Sequence, residues 1–134
     1  MNGSLGNRNK PDDETVLALR EIVRRYGTPT YAFDLRRLRA QVEKLRSHLP
    51  PEAEILYSMK ANASLGICDV FADCGIGADV ASAGELATAL AAGFPGNQIF
   101  VAGPFKLPET IAQLRETPAA IVSIDSLSDL QQFS

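Results

Sequence analysis

Cysteine and histidine are scarce in this sequence of 134 residues: Cys68, Cys74 and His48 are all there is. Two thiols cannot build a disulfide framework, so a reducing, cytoplasmic setting is the default. Neither thiol has another Cys or His at metal-ligand spacing, and no metal site is expected. Cys68 reads as a small apolar residue packing on Leu65 and Phe71. His48 ends a helix beside Pro50, and a place at the helix C-terminus accounts for it. Positive charge is also short. Lys and Arg number 13 against 16 Asp and Glu, for a net charge of −3, which argues against binding nucleic acid through phosphate neutralisation. No apolar run approaches the roughly 18 residues of a membrane span. The polar stretch Met1 to Glu14 lacks the apolar core of a signal peptide. No strand–turn–helix carries Gly-x-Gly-x-x-Gly, which disfavours a doubly wound dinucleotide-binding sheet.

What is present is a regular alternation. Hydrophobic residues make up 46% and charged residues 22% of the chain, which are globular values. Residues 1–13 are polar and read as a mobile lead-in. Val16, Leu19, Val23 and Tyr26 recur at helical spacing up to Gly27 and Pro29. Thr30–Phe33 is rich in strand formers. Asp34 can cap a helix with the stripe Leu35, Leu38, Val42, Leu45 and Leu49, closed by Pro50 and Pro51. Strand and helix then repeat. Glu54–Met59 precedes a helix over Leu65–Cys74, stopped by Gly75. Ala78–Ala81 precedes one over Ala83–Ala92, ended by Gly93. Gln98–Ala102 precedes one over Pro108–Arg115, with Pro in its first turn. Ala120–Ile124 precedes a helix begun by Leu127, Leu130 and Phe133. Strict alternation predicts an α/β fold with a parallel sheet and helices outside it, as in a (β/α) barrel. Five predicted strands are fewer than the eight of a barrel. The expectation is therefore that residues 14–134 are the N-terminal half of a barrel domain from a longer, truncated chain.

One short segment carries chemistry. Tyr57-Ser58-Met59-Lys60-Ala61-Asn62 lies where the Glu54–Met59 strand ends, and in a barrel that edge faces the active site. A rigid strand aims the long Lys60 side chain, and partial burial at such a mouth favours a neutral, nucleophilic amine able to form an imine. The plain alternative is a lysine whose stem lines the rim while its head reaches water. The next strand brings Gly77-Ala78-Asp79-Val80-Ala81-Ser82-Ala83-Gly84-Glu85. Asp79 sits in an apolar neighbourhood where an unpaired carboxylate is costly, and Lys60 on the adjacent strand is its natural partner. Ser82 and Glu85 have capping-box spacing, which competes with any site role for Glu85.

Tyr57–Asn62 followed by Gly77–Leu86 resembles the fold-type III pyridoxal-phosphate-dependent amino-acid decarboxylases, and among them the diaminopimelate decarboxylases. Gly27–Tyr31, Phe100–Lys106 and Ser123–Ser126 extend the resemblance from about Val16 to the end of the chain. It implies an alanine-racemase-like TIM (β/α)8 barrel. It also implies that Lys60 is the catalytic residue that bonds pyridoxal 5'-phosphate, that Asp79 lies beside the cofactor, and that Glu85 lines the same mouth. Lys106 matches a recurrent family lysine, although a solvated loop lysine is the simpler reading. The implied activity is decarboxylation of an amino acid, foremost meso-diaminopimelate to lysine, in a cytoplasmic homodimer with no nucleic-acid or membrane partner. The phosphate cradle and the C-terminal β-domain are expected beyond Ser134, so the 134 residues alone are expected to be inactive. Ornithine, arginine or a carrier-tethered amino acid are alternative substrates. An alanine-racemase-like enzyme and a non-catalytic relative are alternative functions. Racemases usually continue from their lysine with Ala-Asp-Ala-Tyr-Gly-His, whereas this chain reads Ala-Asn-Ala-Ser-Leu-Gly, which favours decarboxylation.

Overall fold

A computed structural model describes residues 11–103, 106–117 and 120–133. Most of the expected lead-in, residues 1–10, lies outside these, as do Pro104 and Phe105. The chain divides into two units, Met1–Asp34 and Leu35–Ser134.

In the first unit, helix α1 spans Asp13–Tyr26. The Asp12 side chain accepts the Thr15 amide at 2.8 Å, so the cap sits inside the stretch read as lead-in. Gly27 ends the helix with φ +79°, which a side chain would disfavour. Thr30–Phe33 is not a strand. Composition suits it to one, but a strand exists only with a ladder partner. None pairs with it among the described residues, and Tyr31 is fully exposed there.

The second unit begins with α2, Leu35–Arg46, and continues as four strand–helix pairs. These are β1 Leu56–Ser58 and α3 Leu65–Asp73, β2 Gly77–Val80 and α4 Ala83–Ala91, β3 Ile99–Val101 and α5 Pro108–Glu116, and β4 Ile121–Val122 and α6 Leu127–Gln132. All pairings are parallel and the order is β1-β2-β3-β4. Sequential, all-parallel order is what one wall of a barrel requires. Gly75 and Gly93 stop α3 and α4 with φ +66° and +86°, as their positions predict.

One face of this sheet is dry. Ala78, Val80, Ile99 and Val101 are fully buried and pack with Cys68 of α3 and with Leu86 and Ala89 of α4. Tyr57 points the same way, its ring stacked on Phe71 with centroids 4.0 Å apart. Cys68 therefore packs as expected on Phe71, but Leu65 is exposed instead of sharing that cluster. α2 sits against α3, where Arg39 pairs with Asp73 at 3.0 Å and the Arg46 guanidinium donates to the Cys74 carbonyl at 2.7 Å. His48 Nδ1 lies 2.7 Å from the Lys44 carbonyl, which confirms its place at a helix C-terminus.

The opposite face is defined by alternation. Leu56, Gly77, Ser58, Asp79, Phe100 and Ile121 point away from the helices, in the register pairs Leu56–Gly77, Ser58–Asp79, Asp79–Phe100 and Phe100–Ile121. Gly77 is required there: a Cβ at this position would collide with the Gln98 carbonyl oxygen and the Leu56 side chain. The oxygen belongs to the backbone and cannot swing aside. Gly77→Ala is therefore expected to lose about 1–3 kcal/mol of stability, measured as a lower urea midpoint with an unchanged slope.

Candidate active site

The candidate lysine, Lys60, stands at the C-terminal edge of the sheet. β1 ends at Ser58 and passes directly into a 3-10 turn, Met59–Ala61, whose middle residue is Lys60. Both flanks of this turn are fixed. Met59 is fully buried, and the Tyr57 hydroxyl donates to the Asn62 carbonyl at 2.9 Å. Asn62 in turn accepts the Ser64 amide on its side-chain oxygen at 2.9 Å, which starts α3. Lys60 is thus held by its backbone while its side chain is exposed, not partly buried as expected. The dry side of the sheet is taken by Met59 and Tyr57, which leaves the lysine on the wet side.

Asp79 lies on the adjacent strand, half-buried, but the expected pairing with Lys60 is not formed. The parallel register puts Ser58 directly opposite Asp79, and the Ser58 hydroxyl donates to Asp79 Oδ2 at 3.0 Å. Lys60 lies two residues further on, beyond the ladder, and makes no ion pair among the described residues. Glu85 is drawn into the helix cap. Its Oε2 accepts the Ala81 amide at 2.7 Å, while Ser82 Oγ accepts the Glu85 amide at 3.2 Å. The Ser82 half of the expected capping box is formed, but the Glu85 carboxylate reaches one residue further back, to the Ala81 amide instead of that of Ser82. This places the Glu85 carboxylate at the end of β2, on the amide one residue beyond Val80, engaged with backbone.

Two features escaped the sequence. Phe100 sits beside Asp79 in register and offers an aromatic face on the open side of the sheet. Lys106 is not a solvated loop lysine. It is buried, donating to the Gly103 carbonyl at 2.7 Å and lying 3.4 Å from Asp129 and 3.6 Å from Asp125. Asp129 is itself buried and also accepts the Asp125 amide at 3.3 Å. This cluster ties the segment after β3 to the one after β4 at the edge that carries Lys60. The signal was present as Lys106 with Ser126-x-x-Asp129, but nothing in the spacing says that the two meet.

The donor set suits an aldehyde-bearing ring. It consists of one exposed primary amine, a carboxylate with a single hydrogen bond, and small residues at the ends of β2 and β3. A Cβ on Gly103 would meet only the Ala81 side chain, at 4.0 Å, so there is room at the mouth. Comparison with known proteins agrees with this reading. Residues 35–134 match the model of the pyridoxal-dependent decarboxylase, pyridoxal binding domain. The chain belongs to the pyridoxal-dependent decarboxylase family.

Within the family, it is 35% identical over 113 residues to a diaminopimelate decarboxylase of Actinosynnema pretiosum subsp. auranticum, covering 84% of this chain and 26% of the relative. It is 39% identical over 85 residues to the L-glutamyl-[BtrI acyl-carrier protein] decarboxylase of Niallia circulans, covering 63% and 20%. The crystal structure of Helicobacter pylori diaminopimelate decarboxylase complexed with L-lysine superposes with a TM-score of 0.78 at 25% identity, covering 86% of this chain and 29% of that one. The chain thus spans about a quarter of the length of the curated relatives it matches. The α/β fold with a parallel sheet inferred from the sequence is observed, and it superposes on part of those longer decarboxylases; the family's cofactor is pyridoxal phosphate. Among the described residues no helix is long and apolar enough to cross a membrane, and no cluster of His, Cys, Asp and Glu could hold a metal.

Two measurements check the local physics. Lys106→Met leaves the buried Asp129 carboxylate unpaired and should cost about 3–5 kcal/mol, most of which returns in the Lys106→Met, Asp129→Leu double variant; chemical denaturation reads both. The second concerns alkaline pH. Burial raises the Cys68 thiol above its ordinary 9.0 and the Tyr57 phenol above 10.0. The unfolded chain then loses these protons before the folded one does. Stability that is complete below pH 9 should fall as the pH rises toward the raised folded values. Cys68→Ala should make that decline shallower in denaturation curves taken across the range.

Proposed function

We propose that this protein is a pyridoxal-phosphate-dependent amino-acid decarboxylase, that Lys60 is its catalytic, cofactor-bonding residue, and that meso-diaminopimelate is its substrate and lysine its product. The observation that carries the proposal is the placement of Lys60. A primary amine stands at the C-terminal edge of an all-parallel sheet, on a backbone turn locked at Met59 and Asn62, one strand from an inward carboxylate. The match to diaminopimelate decarboxylases over most of the chain supports the choice of substrate.

Lys60 Nζ would hold the cofactor covalently through its aldehyde, and Asp79 would lie beside it. When bound, pyridoxal phosphate supplies the sink for the electron pair released as the Cα–carboxylate bond breaks. The chain's own work is positional. The turn Met59–Ala61 fixes where Nζ starts, so the long side chain searches a small volume. The Asp79 carboxylate offers negative charge on the open face, where a proton or cationic nitrogen is stabilised. Phe100 gives that face an apolar patch. The packed opposite face keeps water from reaching the site through the sheet. Glu85, held to the Ala81 amide, acts on this edge by fixing the end of β2.

Residues 14–134 then form the N-terminal half of the cofactor-binding barrel domain, in a cytoplasmic homodimer. The unpaired thiols Cys68 and Cys74 favour a reducing compartment. A second substrate reading has its own support: the per-residue identity to the carrier-protein decarboxylase, 39%, exceeds that to the diaminopimelate enzyme. The substrate would in that case be an aminoacyl group tethered to a carrier protein.

Borohydride reduction of the cofactor-loaded protein, expressed from its complete reading frame, is the direct test. Peptide mass mapping should place the pyridoxyl group on Lys60, and Lys60→Ala should abolish both the label and CO2 release. Label on another lysine defeats the assignment. CO2 release from meso-diaminopimelate, set against ornithine, arginine and a carrier-bound glutamyl group, decides the substrate.

A further inference from the structure

We propose that Ser58 is a positioning residue for the Asp79 carboxylate, fixing which of its oxygens faces the cofactor; this rests on the reading of Lys60 and Asp79 just given. Ser58 and Asp79 are direct partners in the β1–β2 ladder. Their side chains project from the same face about 4.8 Å apart, a separation a hydroxyl and a carboxylate can bridge. They do so at 3.0 Å, both half-buried. A serine hydroxyl has one proton to give, and here it goes to Oδ2. Asp79 Oδ1 has no partner among the described residues.

An aspartate on a strand otherwise has several χ1 rotamers and a broad χ2. Donation from Ser58 to Oδ2 selects one orientation and directs Oδ1 elsewhere on the open face. The hydrogen bond also joins, at side-chain level, the strand that leads into Lys60 to the strand that carries Asp79. The two groups that would meet the cofactor are thereby spaced by a contact independent of the backbone ladder. Position 58 is suited to this because it is the last residue of β1 before the turn. An alanine there would satisfy the fold and leave the carboxylate to rotate.

The test is a double-mutant cycle in the protein expressed from its complete reading frame. Cofactor-stripped wild type, Ser58→Ala, Ser58→Thr, Asp79→Ala and the Ser58→Ala, Asp79→Ala pair are each titrated with pyridoxal phosphate by absorbance, with thermal melting of each stripped protein alongside. Ser58→Ala should weaken cofactor binding about fivefold, the cost of selecting one among the freed carboxylate's χ1 and χ2 orientations when the cofactor binds. Ser58→Thr, which keeps the hydroxyl, should restore most of it. In the Asp79→Ala background, removing Ser58 should change binding by less than about twofold, because the two act as one unit. An equal loss from Ser58→Ala in both backgrounds, or none in the wild type, overturns the inference. Borohydride mapping of the wild type separates the two failures. Pyridoxyl on Lys60 with a silent Ser58→Ala removes only the role of Ser58, whereas pyridoxyl elsewhere removes the site and Ser58 with it.

Discussion

Burial of one side of a short parallel sheet is the constraint from which the rest follows. Ala78, Val80, Ile99 and Val101 have no exposure, and Tyr57, Cys68, Leu86 and Ala89 close over them. Strand side chains alternate with period two, so committing these residues to the helices commits their neighbours to the other side. A slip of one residue would put Asp79 into the apolar layer and Val80 into water. The apolar packing therefore sets the register, and the register sets Ser58 opposite Asp79. The chemistry of the open face is held in place by contacts it does not share.

The lysine is positioned by a different device. β1 is only three residues long, and its ladder ends before Lys60. What fixes the amine is the turn that follows, pinned by a buried methionine on one side and by the Tyr57–Asn62 hydrogen bond on the other. This division suits the cofactor-bonding role proposed for Lys60. The backbone is rigid, and the four-carbon side chain keeps its freedom at an open mouth.

Much of this was legible in the sequence. The α/β alternation and its period could be read because α3 and α4 are stopped, and α5 started, by residues with one physical job: Gly75, Gly93 and Pro108. Lys60 could be placed at a strand end because the apolar run before it is short and bounded. The errors share a cause. Thr30–Phe33 has strand composition but no ladder partner, and propensity says nothing of partners. Pairing Lys60 with Asp79 required knowing the register, which moves the contact to Ser58. Reading Lys106 as solvated assumed that a loop lysine faces water, whereas two carboxylates 19 and 23 positions away in the chain make its burial tolerable. Local pattern reports what a segment prefers, and it is silent on what lies next to it.

The buried Lys106–Asp129 contact has a consequence for how this chain can diverge. Losing Lys106 strands the buried Asp129 charge, and losing Asp129 leaves the buried Lys106 only the longer contact to Asp125, so single substitutions are costly at both sites. The two positions should be inherited together or exchanged together. Drift in the segments after β3 and β4 is then coupled, even though 22 residues of chain separate them.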